Sequence, residues 1–101
     1  MKRWKNYSPE KQQAILAEGR DIYQGIFDNM AGGHDSSVVQ DLVAQWHQNM
    51  RYFYEPTIPV LRGLGQMYVD SPDFRATFEK FSPEFPEFLN QAIQFYCAGK
   101  E

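Results

Sequence analysis

The side chains in this sequence with the means for nucleophilic catalysis are a few serines and threonines, one cysteine and two histidines. Such chemistry needs a Ser, Cys or Thr within reach of a base. Neither histidine sits in a catalytic motif. His34 follows Gly32-Gly33 in an expected loop and reads as a solvated ring. His47 stands beside Trp46, one step off the apolar stripe of the most amphipathic segment, where it can hydrogen-bond across a cavity or sit at a helix boundary. The structural role is the preferred reading. Cys97 excludes an internal disulfide and any zinc site built from several thiolates, and beside Tyr96 near the end of a helix it reads as a buried, inert thiol. His47, Glu55 and Asp41 make no His-x-x-x-His or Glu-x-x-His pair, and haem ligation would rest on His47 alone. We therefore expect no metal and no cofactor, and, without a convergent acid, base and nucleophile, no enzyme.

What the sequence does have in excess is aromatic surface. Eight Phe, six Tyr and two Trp among 101 residues exceed what a minimal helical core of this size needs. Core packing is the better reading for any one ring, but as a group they point to a concave apolar site with polar tips from Tyr, His, Asn and Gln. The remaining composition narrows the class. A chain of 101 residues holds one core. Ten basic against 13 acidic side chains give a net charge of −3, so no positive field favours nucleic acid. The longest uncharged stretch, Phe88 to Gly99, is twelve residues, against about twenty for a membrane span. The basic start, Met1 to Lys5, leads into no apolar run and is not a secretory signal. The expectation is a cytoplasmic protein with a flexible segment over residues 1–7 and one domain over residues 8–101.

The elements that must position these rings are helices. Three Ser-Pro pairs, Ser8-Pro9, Ser71-Pro72 and Ser82-Pro83, read as helix starts, since serine can accept from a free first-turn amide and proline has no N–H to lose there. The first helix is expected from about Pro9 to Met30 on Ile15, Ile22, Ile26 and Met30, ended by Gly32-Gly33; Gly19 and Gly25 within it imply close packing or a bend. A second begins after Ser37, with a capping box to Gln40, and carries Val39, Val43, Trp46, Met50 and Phe53. Pro56 and Pro59 break the pattern. A third helix, about Ile58 to Val69, has Gly63 and Gly65 open to close approach. A short fourth presents Phe74, Phe78 and Phe81, and a last runs from about Pro83 to Ala98 with Gly99 as C-cap. Five helices without a strand make an all-α domain.

The run Gly63-Leu64-Gly65-Gln66-Met67-Tyr68-Val69-Asp70-Ser71-Pro72-Asp73-Phe74, followed by Phe81-Ser82-Pro83-Glu84-Phe85 and Phe88-Leu89-Asn90-Gln91-Ala92-Ile93, closely resembles the TipAS antibiotic-recognition domain. Trp46-His47 and Tyr7-Ser8-Pro9-Glu10 fit it too, so the resemblance covers about Tyr7 to Gly99. It implies a single globin-like bundle of about five helices that closes a cleft over hydrophobic, often peptidic antibiotics, in many members behind a MerR-type DNA-binding domain and a coiled-coil linker. The thiostrepton-induced member traps thiopeptides covalently through a cysteine in the helix that corresponds to the third one here. Matching on Leu64 to Asp70 puts Gly63 at that position, so the resemblance implies reversible binding here.

The expected site is a cleft walled by Trp46, His47, Met50, Phe53 and Tyr54 on the second helix and by Gly63, Met67 and Tyr68 on the third, over a floor of Phe74, Phe78, Phe88 and Phe95. The expected partner is a hydrophobic small molecule or peptide antibiotic, with no nucleic acid bound by this chain directly and no membrane. A DNA-binding domain, attached or separate, is the implied downstream partner. The alternative is a protein-interaction domain whose aromatic groove receives an amphipathic helix or a second copy as a homodimer.

Overall fold

The computed structural model describes residues 5–53 and 55–100. Five α-helices lie wholly within them: α1 (Pro9–Asp28), α2 (Ser37–Met50), α3 (Ile58–Asp70), α4 (Pro72–Glu79) and α5 (Phe85–Ala98). A 3-10 turn, Met30–Gly32, follows α1, and there is no strand among the described residues. The domain is all-α, as its periodicity implies.

The helix starts follow the chemistry of free first-turn amides with several departures from expectation, among them α4, where Ser71 precedes Pro72 but its side chain makes no capping hydrogen bond. At α1 the Ser8 hydroxyl accepts from the Lys11 N–H at 3.2 Å, with Pro9 in the first turn. The expected capping box of α2 is replaced by a cap one residue earlier: Ser36 Oγ accepts from the Val39 N–H at 3.2 Å. That frees Gln40, whose side-chain amide donates to the carbonyls of His34 (2.8 Å) and Ala92 (3.1 Å) and ties the α1–α2 connection to α5. Thr57 caps α3, so Pro59 lies inside its first turn rather than breaking the chain. The third Ser-Pro pair starts no helix. Begun at Pro83, the helix would set Pro86 where an amide donor is required; α5 instead begins at Phe85, which brings Pro86 into the first turn. Ser82 is left with a buried hydroxyl that has no hydrogen-bond partner among the described residues. The first helix also stops short of Met30, because the Asn29 side chain donates to the Gly25 carbonyl (2.8 Å) and the chain tightens toward Gly33, at φ 94°. Gly99 follows α5 in right-handed geometry, not the left-handed cap.

The stripes read from the sequence meet in one core: Ile22 and Ile26 of α1, Val39, Val43 and Trp46 of α2, Leu61 and Tyr68 of α3, Phe78 of α4, and Phe85, Leu89, Ile93 and Cys97 of α5. The helices form two halves. α1 packs on α2, α3 packs on α4 and α5, and α2 joins the halves through α5. Asn49, a buried polar residue, fastens the first pair by donating to Glu18 (2.8 Å) and to the Ile15 carbonyl (3.2 Å). In the second half the closest approach is at Gly65, where a Cβ would fall 2.7 Å from Asn90 Oδ1 and 3.1 Å from Ile93 Cγ2. Gly25 approaches Leu42 similarly, at 3.1 Å, whereas nothing lies within 4 Å of Gly63.

Candidate ligand-binding site

The halves meet less closely where α1 passes the α3–α4 corner, and there a recess of about 560 Å³ opens, within the usual range for drug-sized ligands. Its body is aromatic: Tyr23 from α1, Tyr68 from α3, Phe74 and Phe78 from α4, and Phe81 beyond it. The rings support one another. Phe78 packs against Tyr68 (4.8 Å between centroids) and edge-on to Tyr23 (4.9 Å), and Tyr68 packs against Phe74 (5.5 Å). Phe74 remains 41% exposed, an unfilled side of the cluster. Arg20, Gln24, Thr77 and Lys80 complete the lining, all on exposed positions.

The polar tips gather at the bottom. Burial first, and then the neighbouring Tyr23 hydroxyl, hold the Tyr68 phenol well above its ordinary range, so it stays protonated and serves as a donor. Trp46 is 1% exposed beneath it, its ring edge-on to Tyr68 at 6.4 Å. The indole N–H leans toward the Tyr68 oxygen and favours the phenolate, yet it completes no hydrogen bond among the described residues. The pair is therefore an electrostatic contact rather than a formed bond.

A smaller recess of about 220 Å³ adjoins the first through Arg20 and Tyr23, which line both. Ile15, Leu16, Gly19, Asn49, Met50 and Phe53 close it. The two recesses share Arg20 and Tyr23 and are otherwise lined by different residues.

Of the residues expected to wall the site, Tyr68 lines the larger recess, while Met50 and Phe53 line only the smaller one. Trp46 lies below it, since its stripe with Val39 and Val43 is the core face of α2. His47 points elsewhere and shares a 2.8 Å hydrogen bond with the Tyr96 hydroxyl, linking α2 to α5. Its pKa is lowered by burial first and then by Arg51, partly opposed by the Pro56 carbonyl. Gly63 and Met67 share the outer face of α3, Met67 being 37% exposed, and do not meet Tyr68. Tyr54 lies outside the described residues. Of the expected floor, Phe74 and Phe78 line the recess, but Phe95 is 48% exposed on another side of the domain, against the half-buried ring of His34. The sequence reading missed Arg20, Tyr23 and Lys80. A signal for Tyr23 existed, since it flanks Ile22 and Ile26 on α1; none marked Arg20 or Lys80 before the fold brought them together.

Among the described residues no group of three His, Cys, Asp or Glu is arranged to hold a metal ion, and no helix is long and apolar enough to cross a membrane.

Comparison with known proteins places the chain by sequence. The family model of the TipAS antibiotic-recognition domain matches residues 1–96. The chain is 31% identical over 101 residues to the HTH-type transcriptional activator mta of Bacillus subtilis (strain 168), covering 99% of this chain and 39% of that protein. It is 33% identical over 46 residues to the HTH-type transcriptional regulator SkgA of Caulobacter vibrioides, covering 46% of this chain and 18% of that one. The chain thus spans about two-fifths of the first relative and less of the second. No solved structure matches it. Matched by the family model over nearly its whole length and related to two transcription regulators, the chain belongs to the TipAS antibiotic-recognition domain family and is a ligand-recognition domain of the kind that such regulators carry.

Proposed function

We propose that this domain binds bulky, largely apolar, antibiotic-like molecules reversibly in the cleft between α1 and the α3–α4 corner. One observation carries the reading: an aromatic recess of drug-ligand size, with protonated tyrosine at its base, in a chain of the TipAS family. Capture is non-covalent. The resemblance over Leu64 to Asp70 puts Gly63 where the thiostrepton-induced member carries its reactive cysteine, and the thiol of Cys97 is fully buried in α5. In a longer regulator, occupancy would change the relative packing of the two halves and so the presentation of an attached DNA-binding segment, provided the ligand prefers one arrangement. That role implies a cytoplasmic setting and no catalytic turnover.

Trp46, beneath Tyr68, is the natural reporter. In a Trp4→Phe background, titration with thiopeptides and other hydrophobic antibiotics should quench or shift its emission saturably. Phe74→Ala, at a ring already 41% exposed, should weaken the effect without loss of fold. A full panel without a saturable response would end the proposal.

A second reading, self-association, draws on the outer face of α3. Val60 and Met67 are each 37% exposed there, beside the open backbone of Gly63. Sedimentation over a wide concentration range decides it: a monomer throughout dismisses the dimer.

A further inference from the structure

The charges around the cleft are one-sided. The recess of about 560 Å³ is lined by two cations, Arg20 and Lys80, and by no carboxylate. Among the described residues neither cation has an acidic partner, although acids outnumber bases in the chain. Nearby acids are engaged: Glu79 pairs with Arg75 at 3.1 Å, and Asp28 accepts from Gln24 at 2.9 Å. Arg20 lines the recess from α1 and Lys80 from just beyond α4, so each of the two banks carries a cation. At the base, the Tyr68 hydroxyl is held protonated.

We propose that the cleft selects amphipathic anions: ligands with an aromatic or polycyclic body for the rings and a carboxylate, sulfonate or phosphate ester for Arg20 and Lys80. The inference rests on the cleft being the ligand site and adds to it a sign of charge. Apolar burial supplies affinity for neutral and charged bodies alike, whereas the anion gains a charge-assisted hydrogen bond at the mouth. A cationic body of the same shape would meet like charge on both banks. Multi-ring drugs bearing ammonium groups are therefore disfavoured.

The test uses two dyes with the same ring body, 8-anilinonaphthalene-1-sulfonate and the uncharged N-phenyl-1-naphthylamine, titrated into the whole chain by fluorescence. The sulfonate should bind roughly tenfold tighter, the factor expected from a single charge-assisted hydrogen bond. The advantage should shrink as salt rises. In Arg20→Gln/Lys80→Gln the ratio of the two affinities should fall toward one while the neutral dye binds as before. Lys11→Gln/Lys100→Gln, which removes the same charge from sites over Tyr52 and Tyr96, should leave the ratio intact. Phe74→Ala should weaken both dyes. A wild-type ratio of one or less, an unchanged ratio in the Arg20/Lys80 variant, or a Phe74→Ala variant that binds both dyes normally would overturn the inference while leaving the apolar cleft open to antibiotics. Failure of both dyes and of the antibiotic panel would remove the cleft itself as a binding site.

Discussion

Two glycines two residues apart on α3 point to opposite sides of the helix, and alanine at each should move stability in opposite directions. At Gly63 a Cβ meets nothing within 4 Å, so Gly63→Ala should keep the whole helix-propensity gain of about 1 kcal/mol and raise the melting temperature by roughly 4–8 °C. At Gly65 the same gain is opposed. The new Cβ would lie 2.7 Å from Asn90 Oδ1 and 3.1 Å from Ile93 Cγ2, and Ile93 is fully buried and cannot retreat. Asn90 can swing away only by losing its bond from Gln94 (3.0 Å), which itself holds the Arg62 carbonyl (2.9 Å) and accepts from Arg62 (2.7 Å). Overpacking costs about 1–3 kcal/mol and the lost bond about 1 kcal/mol, so Gly65→Ala should be destabilised by about 1–3 kcal/mol net. Urea unfolding followed by circular dichroism measures both variants, and Gly65→Ala/Asn90→Ala should recover part of the loss. Equal stabilisation by the two single substitutions would mean that α3 and α5 do not approach as closely as described, and the argument from Gly65 would fail.

Other perturbations follow from the same contacts. His47 has a folded pKa below its unfolded value, so its contribution is full above the ordinary histidine range and is lost as pH falls through that range; urea midpoints should decline between neutral and mildly acidic pH, and less so in His47→Gln. Glu87 is lowered chiefly by its hydrogen bond with Arg75 (2.7 Å), so the pair stabilises above the ordinary glutamate range and fades below it. Glu87→Gln should flatten that acid limb in thermal melts, by a small amount since both side chains are well exposed. Tyr68→Phe removes the donor at the base of the cleft and should cost about 1 kcal/mol, with a shift in Trp46 emission; unchanged emission would deny their contact.

The helices were legible because their apolar positions repeat with the helical period, and Ile15, Ile22, Ile26, Val39, Val43 and Trp46 are buried as that period requires. Boundaries were less so, because Ser36 and Ser37 offer equivalent hydroxyls and only the chain path chooses between them. The lining of the recesses was legible only in part. Tyr68, Met50 and Phe53 were readable as rings and thioethers near the apolar stripes, but whether a large ring fills a core or walls a cleft depends on what stands opposite, and Trp46 has the core opposite it. The expected wall sets Gly63 and Met67 beside Tyr68 on one side of the third helix, yet the helix separates them by face: Tyr68 is buried while Gly63 and Met67 lie outward. Arg20 and Lys80 are 60 positions apart and acquire meaning only from the fold.

Across the seam between the halves, α1 touches the far side through rings: Tyr23 on Phe78, and Phe27 on Phe81 and Phe85 at 5.6 and 6.0 Å. Rings that meet edge-on, as Tyr23 and Phe78 and Phe27 and Phe85 do, or tilted, as Phe27 and Phe81 do, tolerate small slippage, unlike the interlocked contact at Gly65. The domain is thus built with one stiff weld and one lubricated joint, and any motion it makes on taking up cargo should run through the joint, leaving α3 and α5 to travel as a single piece.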